Sequence, residues 1–314
     1  MTRHFLRDDD LSPAEQAEVL ALAATLKRDR HAKQPFAGPQ GVAIIFDKPT
    51  LRTQLSFSVG VAALGGHPMI VDGKLAQIGT RESIHDVAKV LGRQVSAIVW
   101  RTYGQGRLEE MAEHAGVPVV NALTDAFHPC QILADLLTVA EHKGSAAGRK
   151  VAYVGDAANN MAHSYLLGFA TAGADITVAG PHGYGPDPAI LERAKEIAAT
   201  TGGGAHASED AIEAVTGADV VITDTWVSMG MEDEASTRKG ESNPFSAFSV
   251  TSELMAHAAP DAIVMHCLPA YRGFEIAADV IDGPASVVWD EAENRLHAQK
   301  ALLVWLMERA GVGP

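Results

Sequence analysis

Cysteine is nearly absent from this 314-residue sequence: Cys130 and Cys267 are the only two. Two thiols are too few for a disulfide scaffold and fit a reducing compartment. No apolar run approaches the roughly 20 residues that span a bilayer. The stretch from Met1 to Asp10 lacks the apolar segment of a secretory signal. These absences predict a soluble, cytoplasmic protein that makes no use of a membrane. Positive charge is also short. Lys and Arg number 25 against 39 Asp and Glu, a net charge of −14, which argues against nucleic acid as a partner. An anionic ligand would have to enter a local basic pocket against the field of the whole chain. No Gly-rich nucleotide loop ending in Lys-Ser/Thr is present, and Gly155-Asp156-Ala157-Ala158-Asn159 lacks the Gly-x-Gly-x-x-Gly spacing of a dinucleotide site. His163, His266 and Cys267 do not have the spacing of zinc ligands, so no metal is expected. Neither a short repeat nor a low-complexity tract occurs.

What is present is core material. A hydrophobic content of 47% with 20% charged residues is that of a globular chain, and the length suits two domains. Leu11-Ser12-Pro13-Ala14-Glu15 opens a first helix with a capping box. Short apolar runs then alternate with segments of helical spacing. Strands are predicted at 42–46, 69–71, 97–100 and 118–121, then at 151–154, 176–179, 220–223 and 262–265. The β-rich runs are buried on both faces, as in parallel sheets covered by helices. The fold class is therefore α/β, two domains each built on a mainly parallel sheet flanked by helices, with an active site in the cleft between them. The division is placed at 1–133 and 134–290. The tail 291–314, with a helix from about Glu291 to Arg309, packs back on the first domain. The long polar segment 230–246 reads as a mobile lid.

In open α/β sheets ligands bind beyond the carboxyl ends of the strands. Thr50 to Thr53, Arg101, His128, Asn160, Asp224 and Cys267 each follow a predicted strand directly or by a short loop. Asp47-Lys48-Pro49-Thr50-Leu51-Arg52-Thr53-Gln54 joins a strand to a helix, so unpaired N–H groups, two hydroxyls and a guanidinium converge on one anion site. The chemistry is that of a small phosphate, not a nucleotide.

These residues resemble the aspartate/ornithine carbamoyltransferase family. Thr50-Leu51-Arg52-Thr53 is similar to its Ser-Thr-Arg-Thr phosphate loop, and His128-Pro129-Cys130-Gln131 matches its His-Pro-Cys-Gln motif. Asp224 with Ser228-Met229-Gly230 resembles the ornithine loop. His266-Cys267-Leu268-Pro269 matches the sulfhydryl motif, and Arg295 stands where a late arginine belongs. The set runs in the family's order along nearly the whole chain. The resemblance implies transfer of a carbamoyl group from carbamoyl phosphate to the δ-amine of L-ornithine, without metal or organic cofactor. It implies Arg52, Arg101, His128, Cys267 and Arg295 as catalytic residues. Carbamoyl phosphate would meet Thr50, Leu51, Arg52, Thr53, Gln77, Arg101, His128, Gln131, Cys267, Leu268 and Arg295. L-Ornithine would meet Asn160, Asp224, Ser228 and Met229. Asn159 and Asn160 are not separable by sequence; the family pattern favours Asn160. Cys267 reads as a binding residue, not a covalent nucleophile. Gln77 resembles a residue donated across a subunit boundary, which implies a homotrimer or a multiple of trimers.

Three positions depart from the family's pattern. Leu51 replaces a threonine, Gln54 an arginine and Ser58 a glutamate, so weaker carbamoyl phosphate affinity is expected without loss of the reaction. Alternative readings are a carbamoyltransferase for aspartate, putrescine or an acylated ornithine, a Rossmann-type oxidoreductase, and a non-catalytic relative.

Overall fold

The structure, a computed structural model, describes residues 2–227, 233, 235–240 and 243–311. The chain forms two compact units, Met1–Leu137 with Glu293–Pro314, and Thr138–Ala292.

In the first unit β1 (Gly41–Phe46), β2 (His67–Asp72), β3 (Ala97–Arg101) and β4 (Val119–Leu123) make a parallel sheet in the order β2-β1-β3-β4. Its helices are α1 (Pro13–Arg28), α2 (Arg52–Ala63), α3 (Gly73–Ala76), α4 (Ile84–Leu91), α5 (Gln105–Ala115) and α6 (Pro129–Lys143). The capping box is in place: the Ser12 hydroxyl accepts from the Glu15 N–H, and the Glu15 carboxylate accepts from the Ser12 N–H. Successive residues of β1 serve opposite cores, as a two-residue period requires. Val42 and Ile44 pack with Phe57, Val61, Leu133 and Leu137, and with Ala298, Leu302 and Trp305 of the last helix. Ala43 and Ile45 pack with Ile84, Ala88, Leu108 and Met111. β1 continues in sequence to β2 on one side and has β3 on the other, so the order reverses between β1 and β3. Such a reversal leaves a crevice beyond the strand ends.

In the second unit β5 (Lys150–Val154), β6 (Asp175–Ala179), β7 (Gly204–Ser208), β8 (Val220–Thr223) and β9 (Ile263–His266) are again all parallel, in the order β7-β6-β5-β8-β9. The helices are α7 (Asn160–Thr171), α8 (Pro188–Thr201), α9 (Ala211–Val215), α10 (Ala235–Lys239), α11 (Ser252–Met255) and α12 (Ala278–Ile281); α13 (Val288–Arg309) begins in this unit and from Glu293 on belongs to the first. Here the reversal lies between β5 and β8. The unit boundaries fall inside α6 and α13. Among the described residues no helix is long and apolar enough to cross a membrane.

Several elements differ from the sequence expectation. β7, α3, α9, α11 and α12 are additional, and α13 begins at Val288 rather than near Glu291. Part of the segment expected as a lid is regular: α10 carries a buried Arg238 that bonds the Trp226 carbonyl at 2.9 Å and pairs with Asp156. Residues 230–232, 234, 241 and 242 of that segment lie outside the described residues.

Candidate active site

The turn after β1 is built around Asp47. Its N–H donates to the Arg101 carbonyl at 2.9 Å, which locks the end of β1 to the end of β3. Its carboxylate accepts from the Trp100 indole (3.1 Å) and the Thr102 hydroxyl (2.5 Å), with Arg107 at 3.5 Å. Arg101 thus lies between two residues tied to Asp47, and it is itself buried. Five residues after Asp47, α2 starts with no side-chain cap; its first ladder bond runs from the Leu55 N–H to the Leu51 carbonyl at 3.0 Å. The N–H groups of Arg52, Thr53 and Gln54 precede that ladder and point out of the helix end. A cavity of about 240 Å³, lined by Lys48, Thr50, Gln54 and Lys74, opens beside the turn.

α6 and α13 complete this cluster. His128 immediately precedes α6 and is buried. Its pKa is held well below the usual imidazole value, first by burial and then by the charges of Arg295, Arg101 and Arg52. The ring is therefore neutral at pH 7. Arg295, also buried, donates to the Gln131 amide oxygen at 2.5 Å and to the Thr53 hydroxyl at 3.4 Å. Gln299, with its amide oxygen toward Arg295, accepts at 3.0 and 2.9 Å and donates to Ser56. Gln131 in turn donates to Asp135 at 2.8 Å. Thr53, Arg52, Arg101, His128, Gln131 and Arg295 are one basic, largely buried group. Cys130 is not part of it chemically: burial pushes its thiol up to about 12, and it donates to the Asn121 carbonyl.

In the second unit β8 and β9 pair with Thr223 opposite His266. The next residues, Asp224 and Cys267, are thereby brought side by side, and the thiol donates to the Asp224 carboxylate at 3.2 Å. Asp224 also accepts from the Thr225 N–H at 2.7 Å. Burial raises its pKa above the usual carboxylate value, with His266, Cys267 and Thr225 pulling the other way. The turn after β5 separates the two asparagines. Asn159 is buried, caps α7 through the Ala162 N–H and donates to the Tyr153 hydroxyl, whereas Asn160 is partly exposed. Ser228 and Met229 lie outside the described residues. Gln77 is exposed in the first unit and caps α3 with a φ of 50°. Leu268 has a φ of 57° and is half-buried.

Asp224, His266 and Cys267 bring one ligand atom each within 4.8 Å of one another, a donor set suited to a soft divalent ion. His163, the other residue considered from sequence, is not among them. Both nitrogens of His266 are already engaged, Nδ1 by the Leu268 N–H at 2.9 Å and Nε2 by Glu275 at 3.3 Å. A metal would have to displace one of these. Asp47 enters the sequence reading only as the first residue of the 47–54 turn and Glu275 not at all, because neither touches an expected ligand atom.

Family models match both halves of the chain. The model described as aspartate/ornithine carbamoyltransferase, carbamoyl-P binding domain, matches residues 3–141, and that of the Asp/Orn binding domain matches residues 147–306. The chain belongs to the aspartate/ornithine carbamoyltransferase family. It is 63% identical to the ornithine carbamoyltransferase of Clavibacter sepedonicus over 99% of this chain and 100% of that one. It is 58% identical to that of Mycobacterium ulcerans over 98% and 99%. The solved structure of the ornithine carbamoyltransferase of Pyrococcus furiosus aligns with a TM-score of 0.92 at 44% identity, covering 98% of this chain and 97% of that one.

Against the carbamoyltransferase phosphate loop, the three departures have physical readings. Leu51 is 68% exposed, so the loss of the threonine hydroxyl there costs no buried contact. Gln54 lines the open cavity and leaves one positive charge fewer beside Thr50. The Ser58 hydroxyl donates to the Gln54 backbone carbonyl at 2.6 Å; it serves the helix and does not stand in for a cation.

Proposed function

We propose that this carbamoyltransferase moves the carbamoyl group of carbamoyl phosphate to the δ-amine of L-ornithine, giving L-citrulline and phosphate. The observation that carries the reading is the basic group of the first unit, three guanidiniums around a neutral imidazole, in a chain whose full-length relatives are named for ornithine. The amine attacks the carbonyl carbon, the C–O bond to phosphate breaks, and the amine loses a proton. Thr50, the Leu51 N–H, Arg52 and Thr53 hold the phosphate, and Arg101 adds a second cation as negative charge grows on the leaving oxygen. His128, which as a neutral ring keeps one N–H donor, polarises the carbonyl oxygen. Gln131 and Arg295 fix the carbamoyl end, and Cys267 and the Leu268 backbone are assigned to carbamoyl phosphate as well. Asn160, Asp224, Ser228 and Met229 recognise the α-amino and α-carboxylate groups of L-ornithine. Asp224 and Cys267 stand nearest the δ-nitrogen, which arrives as an ammonium and must be deprotonated. No metal or organic cofactor enters this scheme, and the two free thiols support a cytoplasmic setting.

A citrulline assay with carbamoyl phosphate and L-ornithine, putrescine, N-acetyl-L-ornithine or L-aspartate offered separately tests the assignment. Product is expected with L-ornithine alone. Preferred turnover of another amine, or none with any, overturns it.

The assembly proposed is a homotrimer or a multiple of trimers, with Gln77 reaching a neighbouring site. Leu51, Leu55 and Val59 form an exposed stripe on one face of α2, and Met69, Ile70 and Leu75 are exposed on edge strand β2 and on α3. Uncovered apolar area of this kind marks a protein interface, and a second copy of the chain is the occupant proposed. Scattering mass should be a multiple of three 33.1 kDa chains. Mixed Gln77→Ala and His128→Ala subunits should regain activity that neither has alone. A monomer, or mixtures without recovery, removes Gln77 from the site.

A further inference from the structure

β9 ends in a buried relay that the proposed chemistry does not use. His266 is fully buried, and its backbone N–H donates to Glu291 at 2.8 Å. Its ring Nδ1 accepts from the Leu268 N–H at 2.9 Å. A ring nitrogen that accepts carries no proton, so the imidazole proton lies on Nε2, which faces Glu275 Oε1 at 3.3 Å. Glu275 is also fully buried. Its Oε1 accepts from the Tyr271 N–H at 2.5 Å, while Oε2 has no hydrogen-bond partner among the described residues. A buried carboxylate is costly to keep, which calls for a reason beyond packing. The reason lies two residues away. Leu268 adopts a left-handed φ of 57°, a conformation that L-residues with a γ-branched side chain avoid. The bond from its N–H to His266 holds it there. Cys267 sits between His266 and Leu268, so the position of its thiol, 3.2 Å from Asp224, depends on both neighbours.

We propose that Glu275, acting through His266, is the positioning residue for the Cys267–Asp224 pair: its carboxylate accepts the hydrogen bond of Nε2–H and so keeps Nδ1 an acceptor for Leu268. The inference rests on the proposed role of that pair toward L-ornithine. A carboxylate oxygen facing the ring can only accept and selects one tautomer. A glutamine amide could turn and donate, which admits the other tautomer and releases Leu268. A leucine selects neither.

The test compares Glu275→Leu and Glu275→Gln with the parent enzyme. Three readouts are taken: KM for L-ornithine, inhibition by inorganic phosphate, and the rate of Cys267 alkylation by iodoacetamide located by peptide mass. Glu275→Leu should raise the ornithine KM about tenfold, as loss of one held polar contact does. Alkylation should be faster by a similar factor, because a thiol drawn away from a carboxylate ionises more readily. Phosphate inhibition, a property of the first unit's residues, should stay within about twofold, since none of its groups is touched. Glu275→Gln, which admits either tautomer, should fall between the parent and Glu275→Leu on both the ornithine KM and the thiol rate. Unchanged ornithine KM and thiol rate in a folded Glu275→Leu overturn the proposal. So does an equal shift in phosphate inhibition, which would mean general disruption. Should Glu275→Leu not fold, Glu275→Gln decides by its thiol rate, with no acceleration overturning the proposal. The thiol rate needs no substrate, so it still reports the relay if the chain proves to act on another amine.

Discussion

His128→Ala is expected to lower kcat about 100-fold or more while leaving phosphate inhibition nearly unchanged, the pattern of losing a donor that acts mainly in the transition state. The imidazole is buried beside Arg52, Arg101 and Arg295, and these surroundings keep it unprotonated. A neutral ring can donate one N–H to the carbonyl oxygen as that oxygen gains charge, without adding a fourth positive charge to the phosphate site. Alanine removes the donor and leaves the guanidiniums in place, so affinity for the dianion persists. His128→Gln, which keeps a donor, should retain more activity than His128→Ala. The same burial has a stability consequence. The folded-state pKa lies below 6.5, so between those two values the unfolded chain binds a proton that the folded chain does not. Stability is whole above pH 6.5 and falls as pH drops below it. His4 and His297, also held low by burial, act with the same sign. His128→Gln should therefore reduce, not abolish, the fall in thermal midpoint between pH 6.5 and 5. Parent-like turnover in folded His128→Ala would remove the residue from the chemistry.

How much of this is legible without coordinates varies by residue. β1, β3, β5 and β8 are continuous apolar runs buried on both faces, and such runs announce themselves. Strand β7 does not. Gly204-Ala205-His206-Ala207-Ser208 has little strand preference of its own, and it exists because β6 offers an unpaired edge with residue-by-residue register. α3 is a four-residue turn capped by Asp72, too short to show a period. Carboxyl ends of strands can be listed from sequence, but which strands are neighbours cannot. The meeting of Arg101 with the Thr50 turn follows from β1 pairing with β3, and that of Asp224 with Cys267 from β8 pairing with β9. Asn159 and Asn160 look alike as letters and part company only when one of them caps α7. Asp47 and Glu275 carry no motif at all, since their work is to hold other residues still.

The charge on Asp224 makes opposed demands on folding and on binding, and Asp224→Asn should expose both. Asparagine keeps an oxygen for the Cys267 thiol and the Thr225 N–H, the two donors that reach the carboxylate, so the local shape survives. The substitution removes the carboxylate charge that balances an ammonium group in this buried position. The ornithine KM should rise about 30- to 100-fold, the scale of a charge-assisted hydrogen bond. Phosphate inhibition, set by Arg52, Arg101 and Thr53, should not move. Stability should go the other way. Burial raises the Asp224 pKa above 3.8, so the folded chain binds this proton more tightly than the unfolded one. The associated stabilisation is complete below pH 3.8 and is lost as pH rises through the raised value. Above that raised value the parent carries a buried charge that Asp224→Asn does not. The variant's thermal midpoint should exceed the parent's at neutral pH, with the gap closing on acidification. A variant that melts lower at pH 7 yet binds L-ornithine normally would contradict both halves of the argument. It would assign Asp224 to the packing of the β8–β9 turn and not to the substrate.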